Sequence, residues 1–191
     1  MVASPGGSAA AALIPVKAFR HAKARLAPAL DPAERAELAR RLAEGVVAAA
    51  APLPVWVVCD DAEVADWAQK LGAAVLRQPG PGLNAAVAAG AEALGKLGFA
   101  RIVVAHADLP FAQRLAWTAE FPGVTLVPDR RDDGTNVLAV SPSVGFRFAY
   151  GPASFRRHAA EARRLGLGLR VVRDPHLGWD VDRPDDLPAG P

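Results

Sequence analysis

Three aspartates in two places carry the pattern with the clearest chemical use. Asp108 follows the run Arg101-Ile102-Val103-Val104-Ala105-His106-Ala107 and precedes Leu109-Pro110. β-branched residues in such a run predict a buried strand, and the proline ends its ladder. A carboxylate at that end stands where ligands collect in open α/β sheets. Asp180 and Asp182, in Trp179-Asp180-Val181-Asp182, point the same way if the segment is extended. Charges about 5 Å apart repel by roughly 1 kcal/mol in water and several-fold more beside a protein wall. A shared proton, a basic partner or a divalent cation must offset that repulsion. Oxygen donors favour Mg²⁺, which takes a few carboxylates and leaves its other positions to phosphate and water. Capping is the plain alternative, because Asp182 precedes Arg183-Pro184 and Asp108 follows a strand. Taken together, the strand-end carboxylate and the same-face pair favour a metal site.

Other groups could complete such a site. Lys17, Lys23 and Arg25 lie just beyond the first expected strand, placed to hold a triphosphate and steady a departing pyrophosphate. A solvated basic loop would look the same. Gly82-Leu83-Asn84 could bring backbone close to a nucleotide, or Asn84 could simply cap a helix. Asp129-Arg130-Arg131-Asp132-Asp133-Gly134-Thr135-Asn136 reads as a hairpin turn with Asp133-Gly134 supplying positive φ, yet it is rich enough in polar groups to bind an acceptor. Gly151-Pro152-Ala153-Ser154 opens a helix, so free N–H groups and Ser154 offer a phosphate site or an ordinary cap. His106 shares a face with Asp108 and is read as structural; Cys59, His158 and the tryptophans are read as packing or surface.

The elements that must position these residues alternate. A strand over Ala12–Val16, with Pro15 at its end, leads through the basic loop to a helix capped by Asp31-Pro32 and running to about Ala50. Val55–Cys59 is a strand. A short helix from Asp60-Asp61 ends at Gly72, and Ala73–Leu76 is a strand. A helix over about 84–97, the Ile102 strand, and the neighbouring strands Val124–Val127 and Asn136–Val140 follow. Phe146–Phe148 is a short edge strand, Gly151-Pro152 opens a helix to about Leu165, and Leu169–Val172 is the last strand. Such alternation means βαβ units, and the adjacent strands in the middle mean a mixed sheet. The fold class is α/β, a three-layer sandwich with a mixed, mostly parallel sheet. Residues 1–10 read as a flexible leader and 11–191 as a single domain.

Bulk properties narrow the function. A net charge of +2 over 191 residues gives no case for nucleic acid. The single cysteine, Cys59, excludes an internal disulfide and fits a reducing compartment. Neither a membrane span nor a signal peptide is present by length or charge, so a cytoplasmic location is expected. The oligomeric state is open, and a homodimer is compatible with it. The absence of a GxGxxG or Walker A pattern argues against a Rossmann dehydrogenase or a P-loop NTPase.

The ordered set Pro15-Val16-Lys17, Ala22-Lys23-Ala24-Arg25-Leu26, Gly82-Leu83-Asn84-Ala85-Ala86, Ala107-Asp108-Leu109-Pro110, Val127-Pro128-Asp129-Arg130 through Asp133-Gly134-Thr135-Asn136, Tyr150-Gly151 with Ser154-Phe155 and His158, and Asp180-Val181-Asp182 before Pro184, Asp186 and Leu187 covers nearly the whole chain. In this set the sequence resembles the guanylyltransferases of coenzyme F-420 biosynthesis, which use 2-phospho-L-lactate or phosphoenolpyruvate. The resemblance implies a nucleotide-diphospho-sugar transferase-like (GT-A type) fold acting with GTP and Mg²⁺ on a small phosphorylated carboxylate, 3-phospho-D-glycerate being a third acceptor of the same kind. It places Asp108, Asp180 and Asp182 on the metal, and Lys17, Lys23 and Arg25 on the GTP phosphates. Gly82 and Asn84 fall at the nucleotide, and Thr135, Gly151 and Ser154 at the acceptor's phosphate. His106 and Ala24 depart from the family pattern. The rival readings are a molybdopterin cytidylyltransferase or sugar-phosphate nucleotidyltransferase, and a non-catalytic nucleotide-binding domain. The first usually carries a Gly-rich loop absent here, and the second would have lost an acidic ligand.

Overall fold

A computed structural model of the chain describes residues 10–78 and 82–187. The leader expected over 1–10 lies outside the described residues except for Ala10, which already belongs to the first strand. Seven strands form one sheet: β1 (Ala10–Pro15), β2 (Val55–Cys59), β3 (Ala74–Arg77), β4 (Arg101–Ala105), β5 (Val124–Pro128), β6 (Thr135–Val140) and β7 (Leu169–Val171). Their spatial order is β3-β2-β1-β4-β6-β5-β7. β6 runs antiparallel to both β4 and β5, whereas every other pairing is parallel. The expected mixed, mostly parallel sheet is present.

Strand alternation builds the two outer layers. Ala12, Ile14, Val57, Val103, Val137 and Ala139 face α1 (Pro32–Ala49) and α2 (Ala62–Lys70). Leu13, Val58, Ile102, Val104, Leu126 and Leu138 face α3 (Leu83–Lys96) and α4 (Ser154–Arg164). Both faces of the sheet are therefore covered, which is why its central strands read as nearly continuous apolar runs. Each fully buried leucine contributes about 1.5–3 kcal/mol of transfer free energy. α1 begins as its sequence predicts. The Asp31 carboxylate accepts the Glu34 N–H at 2.8 Å, Glu34 returns the bond to the Asp31 N–H at 2.8 Å, and Pro32 occupies the first turn. Asp61 caps α2 one way only, its carboxylate accepting the Val64 N–H at 3.2 Å. Among the described residues no helix is long and apolar enough to cross a membrane.

Residues 146–148 do not form the expected edge strand. Their segment is irregular, and its backbone is satisfied by side chains instead of a ladder. The Ala149 N–H donates to His158 Nε2 at 2.9 Å, and the Tyr150 N–H donates to Asn84 Oδ1 at 2.6 Å.

Candidate active site

The ends of β1 and β4, the loop after β1, the β5–β6 hairpin, the start of α4 and the acidic segment near the C-terminus surround one open cleft of about 1210 Å³. Its floor is the carboxyl edge of the parallel strands, where main-chain groups run out of partners and ligands bind.

The two acidic stretches meet there. The Val181 N–H donates to the Asp108 carbonyl at 3.2 Å, which fastens the C-terminal segment to the end of β4. Val181 is fully buried against Leu26 and Leu42, so Asp180 and Asp182 turn the opposite way, toward the cleft they both line. Asp182 does not cap the turn Pro184–Asp186; its carboxylate pairs with Arg25 at 2.9 Å instead. The three carboxylates do not converge on one point by themselves. Among the described residues no group of three His, Cys, Asp or Glu side chains is placed to hold an ion. The Lys23 ammonium stands between them, 2.6 Å from Asp108 Oδ2, 4.0 Å from Asp182 Oδ1 and 2.6 Å from the Val181 carbonyl. Lys23 reaches this position from a left-handed backbone conformation, φ 55°, which is uncommon for a residue with a β-carbon.

Electrostatics around these groups is unequal. Burial raises the Asp180 carboxyl, and the negative charges of Asp108 and Asp182 add to it, pushing its pKa up to about 6. Burial also opposes ionisation of Asp108, but the Lys23 ammonium outweighs it and holds this group below the ordinary carboxylate range. Asp108 Oδ1 and Asp180 Oδ1 are buried without a hydrogen-bond partner among the described residues. Orphaned carboxylate oxygens beside an open cleft are the donors that a hard divalent cation takes, so Asp108 and Asp180 could hold Mg²⁺.

The remaining expected site residues divide. Lys17 and Arg25 are exposed at the cleft, and Gly82, Gly151 and Ser154 line it. Gly151 has φ 112°, a conformation that favours glycine. Asn84 neither caps α3, whose N-cap is Gly82, nor lines the cleft. Its amide clamps the backbone of Tyr150, donating to the carbonyl at 3.2 Å and accepting the N–H at 2.6 Å. Asn84→Ala is therefore expected to cost about 1–2 kcal/mol of stability by stranding the Tyr150 N–H, while the carbonyl keeps the Arg157 guanidinium at 3.3 Å, and is read as a lower urea midpoint. A rise in KM for the nucleotide with unchanged stability would instead mark a direct contact.

Thr135, which the resemblance implies for the acceptor's phosphate, is not among the residues that line the cleft. It is fully buried, and its Oγ1 lies 3.0 Å from His158 Nδ1. Because His158 Nε2 accepts the Ala149 N–H, the ring proton must sit on Nδ1 and point at Thr135. Burial first, then the positive Arg157, lowers the His158 pKa to about 4. A folded-state pKa below the unfolded value near 6.5 gives stability that is present above about pH 6.5 and lost as pH falls toward 4. The expected loss is about 2–3 kcal/mol. Urea denaturation across that range should show the decline, and His158→Gln should flatten it.

Sequence reasoning missed how the hairpin is built. The Asp129 carboxylate accepts the N–H groups of Arg131 and Asp133, each at 2.9 Å, and of Gly134 at 2.8 Å. Asp132, not Gly134, takes the positive φ, at 55°. Gly134 is needed for room, since a β-carbon there would fall 2.8 Å from Asp129 Oδ2. Asp133 then reaches α4: its Oδ1 accepts the Ala153 N–H and its carbonyl the Phe155 N–H, both at 3.0 Å. The Ser154 N–H bonds the Gly151 carbonyl at 3.0 Å, so the start of α4 offers fewer free donors than its sequence suggests. Local spacing gave no signal for the reach of Asp133 to α4, twenty positions on.

Known proteins resemble this chain over most of its length. A profile described as "Guanylyl transferase CofC like" matches residues 10–189. A phosphoenolpyruvate guanylyltransferase of Sphaerobacter thermophilus is 40% identical over 92% of this chain and 89% of its own length. Another, from Rubrobacter xylanophilus, is 39% identical over 92% and 90%. A 3-phospho-D-glycerate guanylyltransferase of Phenylobacterium zucineum matches at 35% identity over 93% and 87%. A 2-phospho-L-lactate guanylyltransferase of Methanothermobacter thermautotrophicus matches at 33% over 92% and 81%. In fold, the chain resembles a crystal structure from Desulfovibrio desulfuricans described as a nucleotide-diphospho-sugar transferase. The TM-score is 0.74 at 18% identity, covering 91% of this chain and 82% of that one. With its whole described length matched in order, the chain belongs to the CofC-like guanylyl transferase family.

Proposed function

We propose that this protein transfers GMP from GTP to the phosphate of a small phosphorylated carboxylic acid, with Mg²⁺, releasing pyrophosphate in a step of coenzyme F-420 biosynthesis. Phosphoenolpyruvate is the acceptor put first, because relatives at 39% and 40% identity carry that name. The observation that carries the reading is the junction of Asp108 with Asp180-Val181-Asp182 beside Lys17, Lys23 and Arg25 in one cleft. At about 1210 Å³ that cleft exceeds the volume of an ordinary single-ligand pocket, about 300–1,000 Å³, and leaves room for a nucleotide and an acid together.

An oxygen of the acceptor's phosphate attacks the α-phosphorus of GTP, the bond from that phosphorus to the bridging β-oxygen breaks, and pyrophosphate leaves. A phosphate monoester is largely dianionic at neutral pH, its second pKa being about 6, so no general base is needed. The work left to the protein is positioning and cancelling repulsion between two anions. Asp108, Asp180 and Asp182 would hold Mg²⁺, which would supply charge neutralisation on the phosphates. Lys17 and Arg25, exposed at the cleft mouth, take the triphosphate, and Lys23 turns from the carboxylates toward it. Gly151 and Ser154 lie on the acceptor side, and Gly82 lies on the nucleotide side.

A pyrophosphate-release assay with Mg²⁺ tests the reading, offering GTP, CTP and ATP against phosphoenolpyruvate, 2-phospho-L-lactate and 3-phospho-D-glycerate. GTP-dependent release with phosphoenolpyruvate is the expected result. Release only with CTP, or with none of the acids, would overturn it.

A further inference from the structure

We propose that Asp186 is a positioning residue that sets the direction of the Asp180 and Asp182 carboxylates and joins them to the opposite wall of the cleft; the proposal rests on reading those two groups as metal ligands. Asp186 has no exposed side-chain surface and does not line the cleft. Its Oδ2 accepts the N–H groups of Asp182 at 2.9 Å and Arg183 at 2.8 Å. Its Oδ1 accepts from Arg131 Nη2 at 2.7 Å and from Arg130 Nη2. The Trp179 indole N–H donates to its backbone carbonyl at 3.0 Å. The Arg130 guanidinium lies over the Trp179 ring at 3.9 Å, and the Arg130 N–H donates to the Gly178 carbonyl at 2.8 Å.

The Asp186 carboxylate thus holds the backbone of Asp182 and Arg183, and its own carbonyl holds the Trp179 indole. Asp180 lies between the anchored Trp179 and Val181, whose N–H is bonded to the Asp108 carbonyl. A cap for the short turn Pro184–Asp186 would need only one or two nearby amides. Here one of the bound amides belongs to Asp182 itself, and the two guanidiniums come from the hairpin that also carries Asp129, Asp133 and Gly134 into the cleft. One buried group therefore ties the acidic wall to the hairpin wall. Burial opposes its ionisation, but the Arg131 guanidinium and the two amides prevail and hold it below the ordinary carboxylate range. Groups that orient ligating side chains typically change metal affinity by about 10–100-fold when altered.

The test measures Mn²⁺ binding to the full chain by electron paramagnetic resonance, with α,β-methylene GTP present, and the Mn²⁺ concentration giving half-maximal turnover. Asp186→Asn is expected to weaken Mn²⁺ binding by about 10–100-fold and to shift the turnover curve equally, with much of kcat recovered at high Mn²⁺. Leu94→Ala, a fully buried core truncation on α3, should lower the melting midpoint without moving Mn²⁺ affinity. If Asp186→Asn does not fold, Arg131→Met, which keeps both backbone bonds to Asp186, should still weaken Mn²⁺ binding. Unchanged Mn²⁺ affinity in whichever variant folds would overturn the proposal. A wild-type protein that binds no Mn²⁺ would overturn the metal reading along with it, and the wild-type arm alone distinguishes that failure.

Discussion

Asp108→Asn is expected to lower kcat/KM by about 10³-fold while leaving the protein folded. Asparagine matches aspartate in volume and keeps a carbonyl oxygen that can accept from Lys23, so the end of β4 need not move. What disappears is a full negative charge held low in pKa by Lys23, at the place where the cation and the α-phosphate would meet. Lys23 would then lean on the Val181 carbonyl at 2.6 Å and on Asp182 at 4.0 Å. Its ammonium is nearly buried, at 9% side-chain exposure, so some stability goes with the lost charge, about 1–3 kcal/mol. Steady-state kinetics with a urea melt on the same preparation separates the two effects. Near-wild-type turnover would remove Asp108 from the chemistry.

Lys23→Met should show the complementary behaviour. Without the ammonium, Asp108 loses its counter-charge and Asp182 keeps only Arg25 at 2.9 Å, at a cost of about 1–4 kcal/mol for like charges a few ångströms apart between water and a protein surface. The melting midpoint of the metal-free variant should fall, and added Mg²⁺ should raise it more than it raises that of the wild type, because an ion now supplies the missing charge. kcat/KM should drop by about 10²-fold, since the triphosphate also loses a cation. Differential scanning fluorimetry across a Mg²⁺ series reads the first effect directly. A variant whose melting ignores both the mutation and Mg²⁺ would mean that Lys23 is not the counter-charge of these carboxylates.

Much of this protein is legible from local pattern. The Asp31-Pro32 start of α1, the Val55–Cys59 strand and the antiparallel pair β5–β6 follow from capping chemistry and periodicity, which act over a few residues. The common direction of Asp180 and Asp182 follows from the two-residue period of extended chain, and burial of Val181 between them agrees with it.

The uses of individual polar side chains were decided elsewhere. Thr135 and Asn84 have the right chemistry for phosphate or base, but Thr135 lies on a strand covered on both faces, and Asn84 sits opposite a backbone that lacked a ladder. The two faces of Asp133, one toward its own turn and one toward α4, became visible only once hairpin and helix were adjacent. Most of all, local pattern marks which residues carry charge and roughly which edge of the sheet receives them. Only the tertiary structure put Lys23 beside Val181, 158 positions away, and placed the carboxylate of Asp186 under two arginines from the hairpin. The physical reason is range: backbone propensity and side-chain period are local, whereas a buried charge is satisfied by whichever partner the folded chain brings within hydrogen-bond reach.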